Sequence, residues 1–301
     1  MKRIEPSVKD LGEFRVERFI PSQGQRMVGP FVFFDHLPPA SFAPGKGINV
    51  RPHPHTGLST LTYLFKGEIL HRDSIGSVQL ITPGAVNWMT AGRGIVHSER
   101  DTHEARARDS SLHALQAWVA LPKHKKDEEP SFTHISRNEL PVIYFPDQMI
   151  RLIAGSAYGR TAPISSEQHT FCDIVYLDIV AKQGSKLALP SDGVLNDKPA
   201  YRELAILVVQ GEVSLNSDHS KLVSQGEIYY LESAIAKSCE LELSQDSRVI
   251  IFGGVPWESS PLLEWNFLAW SKEDMERHKE DWANNRFATI PYDDYEYIPL
   301  P

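Results

Sequence analysis

Apolar and polar residues alternate along short segments of this chain, and glycine or proline interrupts the alternation about every ten residues. A period of two places successive side chains on opposite faces of a strand, so the pattern predicts β-strands. Short strands at this spacing are typical of sandwiches and barrels. The predicted strands are Gly29–Phe34, Ser59–Phe65, Val78–Ile81, Val86–Met89, Leu112–Leu121, Ile150–Ala154, Thr170–Val180, Glu203–Val209, Glu212–Asn216, Glu227–Leu231, Cys239–Leu243 and Arg248–Gly253.

The two halves of the chain share an order of features. The segment Leu64–Ile69 (LFKGEI) resembles Val208–Val213 (VVQGEV), and each contains a glycine where a turn is expected. A second glycine follows in both halves, at Gly84 and at Gly226, ahead of a later strand. Because turn glycines recur in many all-β proteins, the matching order is what favours a duplicated β-barrel.

A polar stretch from residue 123 to 145 separates the two sets of strands and indicates two domains. We predict one barrel in residues 1–140 and a second in residues 141–301. The second domain would end in a helix that begins after Ser271, since a serine followed three positions later by an acidic residue is a helix-start signal. The acidic and aromatic segment Pro291–Pro301 would follow as an extended surface tail.

Composition and charge limit the function classes. The 301 residues are 41% hydrophobic and 10% aromatic, enough for a substantial core. With 31 basic and 39 acidic residues the net charge is −8, which argues against direct nucleic-acid binding. No apolar run reaches the roughly 18 residues of a membrane span, and no apolar signal segment precedes the strands. Two separated cysteines, Cys172 and Cys239, argue against a disulfide framework, so we expect a cytoplasmic protein.

Two pairs of residues with i, i+2 spacing could carry chemistry: His53 with His55, and His97 with Glu99. On a strand, each pair projects to one face. A closed barrel brings strands that are distant in sequence together with their inward faces shared. The two pairs therefore predict three imidazoles and one carboxylate that converge. From spacing alone they are better explained as polar residues at a barrel rim, and both interpretations stay open at this point.

If the four side chains converge, their chemistry matches a transition metal. Imidazole suits Fe, Zn, Cu and Ni, and histidine mixed with carboxylate is common in non-haem iron sites. Neither cysteine lies near these residues in the sequence, which excludes a closed thiolate zinc site. Four protein ligands also leave positions open on an octahedral ion. This chemistry therefore predicts a divalent transition metal, with Fe²⁺ as one of several candidates.

Several blocks of the first half resemble the pirin family of the cupin superfamily. In a typical metal-binding cupin motif a glutamate stands at the position of Thr60, and the carboxylate of Glu99 replaces it here, as in pirins. The resemblance implies a bacterial-type bicupin whose first barrel binds iron through His53, His55, His97 and Glu99. The blocks are GPFVFFDHLPP (Gly29–Pro39), RPHPHTGLSTLTYLFKGEILHRDS (Arg51–Ser74), NWMTAGRGIVHSER (Asn87–Arg100), HALQAWVALP (His113–Pro122) and, less specifically, EWNFLAW and the terminal IPLP.

The resemblance implies two functions of different classes, and both stay open. The first is a quercetin 2,3-dioxygenase-like enzyme that opens flavonols, with a small planar phenolic substrate and Glu99 as catalytic base for the substrate hydroxyl. The alternative is a metal- and redox-dependent regulatory protein that binds a transcription factor or a metabolic enzyme. In either case we expect a monomer without direct nucleic-acid or membrane contact.

Other polar residues could either border the site or have ordinary structural roles. The second barrel has one histidine between Phe171 and Gly254, His219, so we predict that it lacks metal ligands and is structural. The weaker candidates in the first half are His36, His71, Asp73, His103, His113 and Gln116.

Overall fold

The computed structural model describes residues 2–10, 12–195, 197–216 and 218–301, with the backbone course alone described at 166–167, 195 and 218–221. The side chain of His219 therefore lies outside the described part. The elements up to residue 137 are β1 (Lys2–Ile4), β2 (Ser7–Asp10), β3 (Arg15–Ile20), β4 (Phe31–Phe42), β5 (Asn49–His55), β6 (Leu58–Lys66), β7 (Ile69–Asp73), β8 (Val78–Ile81), β9 (Val86–Thr90), β10 (Ile95–Arg100), α1 (His103–Arg106), β11 (Ser110–Ala120), a 3₁₀ turn (Lys123–Lys125) and β12 (Ser131–Ile135).

The remaining elements are also mostly strands. They are β13 (Val142–Phe145), β14 (Gln148–Ala157), β15 (Arg160–Thr161), a π-helical turn (Ser166–Thr170), β16 (Ile174–Ala181), β17 (Lys186–Ala188), β18 (Asp192–Leu195), β19 (Lys198–Tyr201), β20 (Glu203–Gln210), β21 (Glu212–Leu215), β22 (Asp218–Ser224), β23 (Ile228–Leu231), α2 (Ser233–Ala236), β24 (Glu240–Leu243), β25 (Ser247–Gly254), β26 (Leu262–Glu264), β27 (Phe267–Ala269) and α3 (Lys272–Ala283). This content confirms the predicted all-β class with a short C-terminal helix.

The strands form two pairs of sheets, one pair for each barrel. In the first barrel a seven-stranded sheet, β12-β9-β6-β11-β4-β3-β2, accompanies a four-stranded sheet, β5-β10-β7-β8. In the second barrel an eight-stranded sheet, β1-β23-β20-β25-β16-β14-β13 with β15 beside β14, accompanies the four-stranded sheet β17-β24-β21-β22. This pairing confirms the prediction of two cupin-type barrels.

The chain divides into two compact units that do not follow the sequence in two simple pieces. The first-barrel unit contains residues 7–18, 32–137 and 259–301. The second-barrel unit contains residues 1–6, 19–31 and 138–258. Residues 259–301, which the sequence assigns to the second domain, thus lie in the unit of the first barrel. The boundary between residues 140 and 141 stays a prediction.

The duplicated turns have the same backbone geometry in the two barrels. Gly84 donates its N–H to the carbonyl of Leu64, and Gly226 donates to Val208, both at 2.8 Å. Both glycines adopt a positive φ, +83° and +81°, a conformation that residues with a Cβ rarely accept. The repeat seen in the sequence therefore corresponds to one hydrogen-bonded turn that is built twice.

The predicted strands are wrong at two places for local reasons. His53 and His55, which none of the predicted strands includes, end the separate strand β5, because Gly57 turns the chain into β6 with a φ of +69°. The strand predicted from Thr170 begins four residues later, at Ile174. A π-helical turn and the left-handed Phe171 (φ +52°) occupy the residues before it.

The C-terminal helix α3 begins where the sequence predicts, after Ser271. The hydroxyl of Ser271 accepts a hydrogen bond from the N–H of Asp274 at 3.1 Å, the N-cap contact that the serine signals. Its buried face contains Met275, His278 and Trp282, whereas Lys279 forms ion pairs with Glu264 and Glu276. No helix in the described ranges is long and apolar enough to cross a membrane.

Candidate metal centre

Neighbouring strands bring the two i, i+2 pairs together. β5 carries His53 and His55, and β10 carries His97 and Glu99. The strands are antiparallel with His97 opposite His53, and a bulge shifts the register between His97 and Glu99. On its other side β10 pairs with β7, which places Glu99 opposite His71. The antiparallel register, rather than the sequence spacing alone, thus sets the distances between the imidazoles.

Three imidazoles form a compact cluster. The donor nitrogens of His53, His55 and His97 lie within 4.8 Å of one another, and all three side chains are buried. The ring centroids of His53 and His97 are 4.3 Å apart, and those of His55 and His97 are 5.0 Å apart. Among the described residues Glu99 does not join this group of mutually close donors, although its side chain lines the same cavity. Its role as a fourth ligand stays a prediction.

Hydrogen bonds orient two of the three rings. His53 Nδ1 donates to the carbonyl of Arg51 at 2.9 Å, and His55 Nδ1 donates to the carbonyl of Asn266 at 3.1 Å. Each bond leaves Nε2 without its proton and available to a metal ion. Both ring nitrogens of His97 are buried without a hydrogen-bond partner in the described part of the chain. A buried polar group without a partner is costly, so the cluster fits a metal ion that would bind one nitrogen of His97 together with Nε2 of His53 and of His55.

Burial keeps these imidazoles neutral. Desolvation lowers the pKa of His53 to about 4, against the hydrogen bond to Arg51 that raises it. Desolvation, followed by the charge of His53, lowers the pKa of His55 well below its usual range. Desolvation, followed by the charges of the neighbouring histidines, lowers the pKa of His97 well below its usual range. Neutral imidazole is the form that binds metals, so the site is prepared for one near neutral pH.

The metal-free protein should consequently lose stability in mild acid. An unfolded His53 regains a pKa near 6.5, so the unfolded chain binds the proton more tightly than the folded one, whose pKa is about 4. The part of the unfolding free energy that depends on a neutral His53 is fully present above pH 6.5, the pKa in the unfolded chain. It is lost as the pH falls toward about 4, the pKa in the folded chain. We expect His53 alone to remove about 2 kcal/mol of unfolding free energy between about pH 7 and about pH 5. Urea unfolding at both pH values measures it. His53→Gln should flatten the pH dependence, and an unchanged slope in that variant would contradict the assignment.

Glu99 lies in a small polar network at the edge of the cluster. Thr62 Oγ1 is 3.4 Å from Glu99 Oε1 and donates to Gln116 Oε1 at 2.8 Å. Desolvation raises the pKa of Glu99, and the charge of His71 and the contact with Thr62 oppose this rise. A carboxylate with a raised pKa is a better proton acceptor near neutral pH. Gln116, a weak candidate in the sequence, therefore reaches the site through Thr62.

His71 and Asp73 form a hydrogen-bonded pair next to His97. His71 Nε2 donates to Asp73 Oδ2 at 3.0 Å, and the ring stacks on Phe132 with centroids 4.4 Å apart. Asp73 also accepts the backbone N–H groups of Ile75 and Ser77 at 3.1 and 2.9 Å. The His71 centroid is 5.4 Å from that of His97. These contacts assign His71 to the wall beside His97.

The remaining histidine candidates of the first half lie away from the imidazole cluster. His36 is hydrogen-bonded through Nδ1 to Glu17 at 2.9 Å, and its Nε2 is 3.0 Å from Nε2 of His113. His103 is exposed on the short helix α1. None of these three lines the cavity above the cluster.

The cluster opens into a cavity of about 130 Å³ with mostly apolar walls. Trp118 contributes one wall: its ring stacks on Phe33 at 3.8 Å and meets His55 edge-on at 4.8 Å. The guanidinium of Arg18 lies 4.3 Å above Phe33 and binds both carboxylate oxygens of Asp35 at 2.9 Å. Sequence analysis missed this stack, although Trp118 stands two residues after Gln116 on the same strand. That spacing is the signal that could have indicated it.

The second barrel offers a contrast. Its interior is filled by aliphatic side chains such as Leu177, Ile206 and Val249. Among the described residues the histidine cluster of the first barrel is the group with metal-ligand spacing. That the second barrel lacks metal ligands and has a structural role stays a prediction.

A barrel of antiparallel strands that directs three neutral imidazoles into an apolar cavity defines a cupin with a metal-binding type of site. Sequence comparison specifies the family. The pirin family model matches residues 13–119, and the model of the pirin C-terminal cupin domain matches residues 176–288. The chain belongs to the pirin family.

Relatives align over nearly the whole chain. A pirin-like protein of Caulobacter vibrioides is 41% identical over 97% of this chain and 96% of its own. A Pseudomonas aeruginosa protein, whose name gives quercetin 2,3-dioxygenase as a provisional activity, is 35% identical over 96% of this chain and 86% of its own. The crystal structure of a quercetin 2,3-dioxygenase from Acinetobacter baumannii is similar with a TM-score of 0.83 and 32% identity, covering 100% of this chain and 94% of that one.

Proposed function

We propose that this chain is an iron-dependent dioxygenase that opens flavonols such as quercetin, with consumption of O₂ and release of carbon monoxide. The observation that supports this most is the His97 imidazole, buried without a partner beside two oriented, neutral histidines. The similarity to the Acinetobacter baumannii quercetin 2,3-dioxygenase supports the same reaction class.

In this proposal the residues of the chain have distinct tasks. His53, His55 and His97 hold Fe²⁺ or another divalent transition metal, which supplies Lewis acidity and redox chemistry when bound. Glu99, whose pKa is raised by burial, would accept the proton of the substrate hydroxyl. Thr62 keeps the carboxylate in place during this transfer. The apolar walls exclude water, which strengthens each polar contact inside.

Substrate size is the strictest demand on this proposal. The cavity of about 130 Å³ is below the roughly 300–1,000 Å³ of pockets that enclose drug-sized ligands. It is close to a cavity of about 150 Å³ that accommodates benzene in another protein. The cavity can thus enclose about one ring. A three-ring flavonol fits if its chelating ring enters while side chains that line the cavity, such as Phe14 and Ile48, give way.

Oxygen uptake tests the proposal directly. Protein loaded with Fe²⁺ under anaerobic conditions and shown to hold one iron should consume O₂ and release carbon monoxide with quercetin. His53→Ala should abolish both signals, because it removes a ligand. Glu99→Gln should keep the iron and lose most of the turnover if the carboxylate is the base. A 3-hydroxy-4-pyranone carries both chelating oxygens on a single ring. In the same assay it tests whether substrate size limits turnover.

The two negative outcomes have different meanings. Turnover of the pyranone without turnover of quercetin would retain the oxygenase and replace the substrate class. No uptake with either compound by iron-loaded protein would overturn the oxygenase proposal. The regulatory alternative, a metal- and redox-dependent partner of another protein, would then be the function to test.

A further inference from the structure

The acidic, aromatic tail of the chain contains one carboxylate that is deeply buried. Asp293 is 3% exposed, whereas Tyr292 before it is 99% exposed and Tyr295 is 77% exposed. Burying a charge is costly unless hydrogen bonds compensate it. The position of Asp293 is therefore explained by its contacts, not by general packing of the tail.

Those contacts lie on the strand that carries two of the predicted ligands. Asp293 Oδ2 accepts from Ser98 Oγ at 2.7 Å, and Ser98 stands between His97 and Glu99 on β10. Arg100, on the same strand, donates to Asp293 through Nε at 3.0 Å and Nη2 at 2.8 Å. Burial opposes ionisation of Asp293, but the bonds from Arg100 and Ser98 outweigh it and lower its pKa. The carboxylate stays charged and holds β10 at two points.

The same terminal segment also holds the strand of the other two histidines. The N–H of Ile298 donates to the carbonyl of Pro52 at 2.8 Å, one residue before His53. The carbonyl of Ile298 in turn accepts from Trp282 Nε1 at 3.1 Å. This bond ties the tail to helix α3. Both ligand-bearing strands are thus fixed by residues 290–301, which we name the C-terminal strap.

We propose that Asp293 is a positioning residue of the metal centre and that the C-terminal strap holds β5 and β10 at the separation that the three histidines need. The proposal rests on the proposed metal site. A ligand set built from two strands is only as well ordered as the spacing of those strands, and outer contacts that orient ligands typically contribute about 10–100-fold to metal affinity.

The neighbouring residues Asp293 and Asp294 provide a matched pair of variants. Asp294 is exposed, so Asp294→Ala removes the same charge from the same turn without touching β10. We expect Asp293→Ala to weaken Co²⁺ binding to the metal-free full chain by about 10–100-fold, and Asp294→Ala to leave it within about twofold. The visible absorption of bound Co²⁺, which depends on ligand geometry, should change in Asp293→Ala alone. A purely structural role would lower the melting temperature without altering that spectrum.

Asp293→Asn covers the case in which the alanine variant does not fold. Asparagine retains an acceptor for Ser98 and loses the charge that faces Arg100, so its affinity should fall between those of wild type and Asp293→Ala. Equal Co²⁺ affinity and equal spectra in the folded Asp293 variants and in Asp294→Ala would overturn the role of the strap. Failure of the wild-type chain to bind Co²⁺ would overturn the metal centre itself. The two failures are therefore distinguishable.

Discussion

Replacement of His97 by alanine is expected to lower the metal affinity of this protein by more than roughly 100-fold, beyond the loss that follows removal of an outer contact. His97 contributes a buried imidazole with two nitrogens that no described residue satisfies, so its binding energy is available to a metal ion. We also expect the metal-free variant to remain folded. The substitution loses the packing of the His97 ring, but it also removes a buried polar group that has no hydrogen-bond partner. Metal titration and thermal unfolding of both forms measure these effects.

His71→Ala is the matched control for this experiment. His71 lies beside His97, with ring centroids 5.4 Å apart, and its removal creates a similar space in the same wall. Its Nε2 is already bonded to Asp73, so we expect less than about a tenfold change in metal affinity. Equal losses in the two variants would show that packing of the wall, rather than ligation by His97, controls metal binding.

The cluster of three histidines was predictable because strand geometry is local. In a regular strand a period of two places His53 with His55, and His97 with Glu99, on a shared face whatever the rest of the fold does. The bulge between His97 and Glu99 is what the sequence could not indicate. It changes the register at the position where the carboxylate was expected to join the histidines.

The residues that contact the histidine cluster and its strands from distant parts of the sequence were not predictable, for two physical reasons. His55 donates to a backbone carbonyl at Asn266, which is 211 positions away, and any residue type supplies such a carbonyl. Asp293 binds Ser98 across 195 positions, and one aspartate in an acidic tail resembles its neighbours in sequence. The strap was accordingly expected to be a surface segment, and its tyrosines are exposed as that expectation requires.

The fold class could be predicted from the periodicity of the sequence. The assignment of chain segments to the two compact units could not. Alternation and turn glycines indicate strands and their approximate ends, as the repeated turns at Gly84 and Gly226 show. Which barrel a terminal segment joins depends on the surface that covers its apolar face. Phe267, Met275 and Trp282 form one cluster with Val96 of β10, and this cluster places α3 in the first-barrel unit.

The turn that leads into β10 gives the second large effect: Gly92→Ala should reduce the free energy of unfolding by at least about 3 kcal/mol. Gly92 has a φ of +51°, and a Cβ at this position would lie 1.8 Å from the carbonyl oxygen of Glu128. That oxygen belongs to the backbone and also accepts from the N–H of Arg93 at 3.0 Å, so it cannot move away cheaply. Urea unfolding of the metal-free protein measures the loss.

Gly76→Ala distinguishes the cost of steric overlap by a new Cβ from the cost of a positive φ in a residue that has a Cβ. Gly76 also has a positive φ, +92°, but a Cβ there would meet nothing within 4 Å. This variant should lose the backbone contribution alone, about 1–2 kcal/mol. Because Gly92 precedes the strand of His97, relief of its overlap would also shift β10, so Gly92→Ala should weaken metal binding while Gly76→Ala should not. Equal stability and equal affinity in the two variants would mean that the turn adapts without cost and does not set the position of β10.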